Sequence, residues 1–334
     1  MVEEIDLTVA VTGPTGTLGF GLMPHVQLDG RVTRVVGLAR RRFDPADHGW
    51  STMEYLRGDV RDRETLERAF AGADAVVHLA FSVVGPLSVG SGRRRAARQV
   101  NVDGTLNAFR AAVAAGARRF VYASSVAAYG FHRDNPLGMT EDWPVRPAEH
   151  LPYAQDKAEV EQLLVAEAEA APQTELYVVR PPIVVGPHTV GAKLPGPLAT
   201  LAELLDGRPR RLPVPVPALV PDLPLQLVHE LDVGRALLQC AVGAGPPGAY
   251  NVAADEVLTL PEVAREFGVL PVPVPAGPVQ AAARLAAELP LLPPVARWVE
   301  AAGHPAVVDT TRAKTRLDWT PRFSARDALR AALG

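Results

Sequence analysis

The stretch Val9-Ala10-Val11-Thr12-Gly13-Pro14-Thr15-Gly16-Thr17-Leu18-Gly19 reads as a strand, a glycine turn and the start of a helix. Val9, Ala10 and Val11 form a short apolar run that ends at a turn signal, the pattern of a buried strand. Gly13, Gly16 and Gly19 then recur at the spacing GxxGxxG. A dinucleotide pyrophosphate rests on backbone N–H groups at a helix N-terminus, and side chains in the turn would hold the backbone away from it. Glycine removes that obstacle. The competing reading is a glycine-rich strand-to-helix turn that binds nothing, so the rest of the chain has to decide.

A chain of 334 residues that is 48% hydrophobic has room for a large core, in one large domain or two moderate ones. Its formal net charge of −3 offers no general basic field for nucleic acid or an anionic membrane and favours small-molecule partners. Cys240 is the single cysteine and the eight histidines stand far apart, so neither a disulfide framework nor a metal site is expected. The opening MVEEIDL is acidic where a signal peptide is basic, and no run of about 18 apolar residues is free of charge and proline clusters. The cytoplasm is the expected compartment.

Apolar strands are expected at residues 32–38, 53–58, 75–80, 120–124 and 175–180, and helices at 16–28, 63–71, 95–115 and 153–170. Their alternation predicts a doubly wound parallel α/β sheet, which binds ligands beyond the carboxyl ends of its strands. Pro24 inside the first helix removes a backbone donor and predicts a kink or an early end. After the second strand come Arg40 and Arg41, with no acid before Asp44. An acidic residue near this point bonds the ribose 2′-hydroxyl of NAD, whereas arginine accommodates the 2′-phosphate of NADP. Electrostatics therefore favour NADP(H), with NAD(H) as the other possibility. A solvated arginine run is the plainer alternative. For Arg93, Arg94, Arg95 and Arg98 a solvated helix face is the preferred reading, with an anionic-substrate site as the alternative. His78, inside the fourth strand, reads as a packing histidine.

Ser124 and Ser125 lie at the carboxyl end of the fifth strand, and Tyr153 and Lys157 stand four positions apart on one helix face. These residue types suit a carbonyl that takes up hydride. Its oxygen acquires alkoxide character, so it needs a proton donor within hydrogen-bond reach and a second donor to hold it. Tyr153 is the proton donor in this reading. A phenol has an ordinary pKa of about 10, and a neighbouring Lys157 ammonium is expected to lower it. Taken singly, a helix-surface contact and two strand-end serines would explain the same residues.

Together, the TGxxGxxG turn at 12–19, Ser124-Ser125 followed by Tyr129-Gly130, Tyr153-x-x-x-Lys157, Arg180-Pro181-Pro182 with Gly186-Pro187, and the later LQLVHELDVGRA and LDWTPRF resemble the extended short-chain dehydrogenase/reductases of the NAD(P)-dependent epimerase/dehydratase kind. The resemblance covers nearly the whole chain and is tightest up to Gly186. It implies a Rossmann-type doubly wound parallel sheet over 1–186 and a small C-terminal substrate-binding lobe over 187–334, with residues 225–240 returning to the Rossmann domain. Ser125, Tyr153 and Lys157 become the catalytic set; Ser125 is preferred to Ser124 because it stands four residues before Tyr129, as in the family's SSxxxYG pattern. The implied cofactor-binding residues, besides Arg40 and Arg41, are Gly13, Thr15, Gly16, Thr17, Leu18 and Gly19 in the turn, then Asp59 and Val60. Leu79, Ala80 and Phe81 at the fourth strand's end follow, with Asn101, Tyr153, Lys157, Pro181, Ile183 and Val184. Phe81, Ser82, Ser125, Val126 and Tyr153 are the implied substrate contacts.

The second half departs from the family's nucleotide-sugar epimerases and dehydratases. Those commonly carry an arginine just before the FVHV strand to meet the nucleotide diphosphate, and here Pro224, Leu225 and Gln226 stand there. Arg208, Arg210 and Arg211 are the remaining substitutes. The proline-rich runs 211–224 and 271–294 read as extended loops over the mouth of the site. The expected activity is NADP-dependent reduction of a ketone or aldehyde of a small, largely apolar metabolite, or oxidation of the alcohol. The alternatives are a nucleotide-sugar epimerase or dehydratase with tightly bound NAD, and a non-catalytic NADP-binding sensor or scaffold. A homodimer through helices 95–115 and 153–170 is also expected, with Val160, Leu163 and Leu164 between subunits.

Overall fold

Strand β1 (Leu7–Thr12) is apolar on both faces because parallel neighbours flank it and helices cover it. The structure, a computed structural model, describes residues 6–83, 91–149, 151–189, 217–275, 277 and 304–333. β2 (Val32–Ala39) and β4 (Ala75–His78) pair with β1 on either side. β3 (Met53–Arg57) lies beyond β2, while β5 (Arg119–Ala123), β6 (Glu175–Arg180) and the late β10 (Gly248–Asn251) extend the other side. The resulting seven-stranded parallel sheet has the order β3-β2-β1-β4-β5-β6-β10. Its winding reverses between β1 and β4, the place where such sheets open a crevice at their carboxyl edge.

Alternation along β1 feeds two cores. Val9 and Val11 pack with helix α1 (Thr17–Leu28) and helix α6 (Glu230–Ala241), whereas Ala10 packs with α2 (Arg63–Phe70), α4 (Gly104–Ala114) and α5 (Pro152–Ala170). α1 runs through Pro24 instead of ending there. That proline faces solvent, so the carbonyl that loses its partner is left on the wet side of the helix. The helix expected over 95–115 is divided into α3 (Ser91–Arg98), a π-helical turn (Gln99–Asp103) and α4. Arg94 reaches Gln155 at 3.1 Å and Arg98 reaches Glu159 at 2.5 Å, so this part of the arginine cluster ties α3 to α5. Val160 and Leu164 are fully buried in the chain's own core; they do not form the subunit face expected of them, because α4 and β6 already cover that side of α5.

A smaller three-stranded sheet places β9 (Pro224–His229) between β7 (Ile183–Val185) and β11 (Val257–Thr259). Helix α9 (Ala325–Leu333) packs on it, and α7 (Leu260–Glu266) starts from a capping box of Thr259 and Glu262. Part of the proline-rich sequence is not loop. β8 (Pro217–Pro221) and β12 (Leu270–Val274) pair in parallel. In LPVPV the prolines alternate with residues that keep an N–H, so the missing donors fall on the edge away from the partner strand. The rest of those runs, with Arg208, Arg210 and Arg211, lies outside the described residues. No helix among the described residues is long and apolar enough to cross a membrane.

Candidate active site

The glycine turn crosses directly over the end of β4. Gly13 has φ +71°, and a Cβ there would stand 2.8 Å from the Ala80 nitrogen; a Cβ at Gly19 would lie 1.9 Å from the Pro14 carbonyl oxygen. Both positions exclude side chains. Gly16 caps α1 without a side-chain hydrogen bond, and no acidic residue occupies the helix's first turn. The N–H groups and the positive end of the helix dipole are therefore left for an anion, and this donor set fits a dinucleotide pyrophosphate. Thr17 donates to the His188 carbonyl at 3.1 Å and Leu18 packs into the core beneath the turn. Leu79 and Ala80 donate their N–H groups to the Thr12 carbonyl (3.0 Å) and hydroxyl (3.3 Å).

His78 lies behind this turn, between Thr12 (2.8 Å) and Thr105 (3.0 Å). Burial pushes its pKa down to about 3, with the Lys157 charge acting in the same direction. It is a neutral packing group.

Along the β2 and β3 ends, Arg40, Arg57, Gly58 and Asp59 line an open depression of about 450 Å³. Arg41, grouped with Arg40 from sequence, folds back onto the turn and donates to the Thr15 carbonyl at 3.1 Å. Asp59 is paired with Arg61 at 2.8 Å, and Val60 is buried against Gly104.

β5 ends in Ser124 and Ser125, and the structure separates their roles. Ser124 is buried and donates to Glu161. Ser125 caps the short turn Val126–Tyr129, its oxygen accepting from Ala127 N at 3.2 Å, which leaves its own proton available. Tyr153 opens the next helix at the same edge. Burial raises its pKa, and a hydrogen-bonding contribution from Ser125 opposes that rise.

Lys157, one turn on, donates to the Ala123 carbonyl at 2.5 Å. Its ammonium lies 3.8 Å above the Phe81 ring, 4.7 Å from that of Tyr122 and 6.0 Å from that of Tyr153. Burial lowers its pKa to about 7 against the opposing charges of Glu161 and Asp156. The expectation that Lys157 lowers the Tyr153 pKa is thus not met in this arrangement. The ammonium is turned to a carbonyl and an aromatic face, and desolvation governs the phenol instead. Phe81 also meets the Tyr153 ring edge-on at 5.5 Å.

Asn101 sits in the π-helical turn, where an extra residue per turn is often found at functional sites. Its amide accepts from Ser82 N (2.7 Å) and donates to Ser82 O (3.1 Å) and to Asp156 (2.9 Å). The segment after β4 is thereby fastened to the helix that carries Tyr153 and Lys157. On the far side, Pro181 accepts from Val126 N at 3.0 Å, and Ile183 and Val184 are half-buried in β7.

Three contributors are absent from the sequence reading. Asp156 holds Asn101, Glu161 holds Ser124 and pairs with Arg180 at 2.5 Å, and Arg57 faces the depression beside Arg40. Glu161 had a usable signal: it continues the spacing of Tyr153 and Lys157 by another four residues along one helix face.

The chain is 28% identical over 328 residues to an uncharacterized protein of Mycobacterium tuberculosis, covering 96% of this chain and 81% of that protein. It is 32% identical over 229 residues to sterol demethylase protein B of Methylococcus capsulatus, covering 68% of this chain and 65% of that protein. Among solved structures, UDP-glucose 4-epimerase of Thermotoga maritima, determined with UDP-glucose, is 19% identical, with 98% of this chain and 97% of that one covered and a TM-score of 0.73. The Bordetella bronchiseptica enzyme WbmG, determined with NAD, is 20% identical, with coverage of 100% and 94% and a TM-score of 0.70. Residues 9–253 match the sequence pattern of the NAD dependent epimerase/dehydratase family, and the chain belongs to that family of NAD-dependent enzymes.

Proposed function

We propose that this chain is an oxidoreductase acting on the ketone, aldehyde or corresponding alcohol of a small, largely apolar molecule, with NADP(H) preferred. When bound, the nicotinamide ring would supply or accept the hydride. Ser125 holds the substrate oxygen, Tyr153 gives or takes its proton, and Lys157, one helical turn on, holds the nicotinamide ribose. The observation that carries this reading is the proton donor Tyr153 at the β5–α5 edge, hydrogen-bonded with Ser125. The buried carboxylates around it are engaged: Glu161 by Arg180 and Ser124, Asp156 by Asn101, and Glu141 by the Asn251 N–H. Hydride transfer at one carbon needs one such donor, whereas elimination of water needs a further acid–base group.

Two features support an apolar substrate. Gln226, with Pro224 and Leu225, stands in the stretch where the nucleotide-sugar enzymes commonly place arginine, and it is buried and bonded to both Val308 N (2.9 Å) and Val308 O (3.2 Å). Sterol demethylase protein B is among the relatives. A homodimer belongs to the same proposal, through the outer faces of α4 and α5, where Val165 is exposed; light scattering at micromolar concentration tests it.

A second reading, a nucleotide-sugar epimerase with tightly held NAD, is favoured by the family match and by neighbours determined with UDP-glucose or NAD. One experiment distinguishes them. Purified protein is assayed with NADPH or NADH against apolar ketones, sterol-like ones included, and against UDP-sugars, and its denatured supernatant is analysed for released NAD(H). Turnover of apolar ketones supports the reductase. Stoichiometric NAD(H) with sugar interconversion overturns it in favour of the epimerase, and cofactor binding with no turnover leaves a sensor.

A further inference from the structure

We infer that Arg57, at the end of β3, is the second cation of the 2′-phosphate site and that Arg41 is not; this rests on the NADP preference proposed above. β2 and β3 are parallel, with Ala39 opposite Arg57, so both strands end at the same edge and Arg57 comes to lie beside Arg40. Its Nε donates to the Arg40 carbonyl at 3.1 Å. That bond fixes the root of the guanidinium and leaves both terminal nitrogens to a ligand.

The neighbouring arginines Arg34 and Arg61 are held in ion pairs and these two are not, among the described residues. Arg34 is paired with Glu54 at 2.7 Å and Arg61 with Asp59 at 2.8 Å. No ion pair holds Arg40 or Arg57 among the described residues, and both line the 450 Å³ depression. Asp59, the one carboxylate in that lining, pairs with Arg61, whose hydrogen bond chiefly holds its pKa below the usual carboxylate range, and the Arg40 charge adds a smaller contribution. Arg41 directs one terminal nitrogen, Nη2, to the Thr15 carbonyl and hydroxyl, which turns it toward the glycine turn. Two guanidiniums that converge from neighbouring strands on one open recess suit a dianionic monoester, which accepts from both at once. A ribose hydroxyl offers no charge to either.

The test is direct binding of NADPH, NADH, adenosine 2′,5′-bisphosphate and 5′-AMP to the full chain and to Arg57→Ala and Arg41→Ala. Arg57→Ala is expected to weaken NADPH and the bisphosphate by on the order of tenfold or more while NADH and 5′-AMP stay within about twofold. The unchanged NADH affinity reports an intact fold. Arg41→Ala is expected to weaken all four ligands alike. If the parent prefers NADPH but Arg57→Ala weakens no ligand, or weakens all equally, the assignment of Arg57 fails and the NADP reading stands. A parent that binds NADH more tightly overturns both.

Discussion

The two ends of the candidate cofactor crevice are built on opposite electrostatic terms. At the β5–α5 end the charged groups are buried and paired: Glu161 and Arg180 have side chains only 5% and 8% exposed and meet at 2.5 Å, and Lys157 is 4% exposed. At the β2–β3 end the arginines are exposed and face an open depression. A reacting group needs its position and protonation fixed by a low-dielectric setting, because small displacements there cost rate. Recognition of a phosphate needs only free charge at a suitable distance. The difference teaches that substitutions at the first end should act on stability and turnover, and those at the second on ligand choice alone.

The largest effect is expected where pairing is tightest. Glu161→Gln leaves Arg180 buried without its charge partner and Ser124 without its acceptor's charge, and should cost about 3–5 kcal/mol of stability. Denaturant unfolding of parent and variant measures it; a loss below about 1 kcal/mol would mean that the pair is not a supporting element of the site. Tyr153→Phe removes one proton donor and little packing. Turnover should fall on the order of 10²-fold or more with NADPH affinity retained. A Phe variant that works at the parent rate would remove Tyr153 from the reaction.

The same division explains what could be read from sequence. Gly13, Gly16 and Gly19, and Tyr153 with Lys157, were legible because each group sits within one turn or one helix face, where spacing alone implies proximity. The parallel sheet followed from alternation. Arg57 was not legible: it lies 17 residues from Arg40, and only the β2–β3 register joins them. Glu161 and Arg180 are likewise brought together by packing of α5 on β6. The paired strands β8 and β12 were hidden because proline usually signals loop, and here it fills positions whose N–H would point away from the partner strand. The direction of the Tyr153 pKa was not legible for the same reason, since burial raises it and where the Lys157 ammonium points is a tertiary fact.

At the exposed end, Arg40→Asp should leave stability and turnover machinery untouched and move cofactor preference toward NADH. One charge-assisted contact contributes about 1.5–3 kcal/mol, so the selectivity ratio should shift by about ten- to a hundredfold. Titration of NADPH and NADH measures it. A variant with unchanged selectivity would place the 2′-phosphate elsewhere than this depression.

The smallest expected effect tests the buried end through its pH dependence. Burial holds the Lys157 pKa at about 7, against an ordinary value of 10.5. Between those values the unfolded chain keeps a proton that the folded chain has released, so stability rises as pH rises through this window. Below about pH 7 both states are protonated and the full desolvation penalty applies; above the ordinary lysine value neither is, and the penalty is gone. The gain between pH 7 and pH 8 should be roughly 1 kcal/mol from this one group. Other groups titrate as well, so the measured quantity is the difference between the parent and Lys157→Met, each unfolded in urea at several pH values. The parent curve should climb relative to the variant between pH 7 and pH 9. Parallel curves would mean that the Ala123 carbonyl, together with the Glu161 and Asp156 charges, keeps the ammonium protonated, and that the paired end of the crevice holds a full cation at neutral pH.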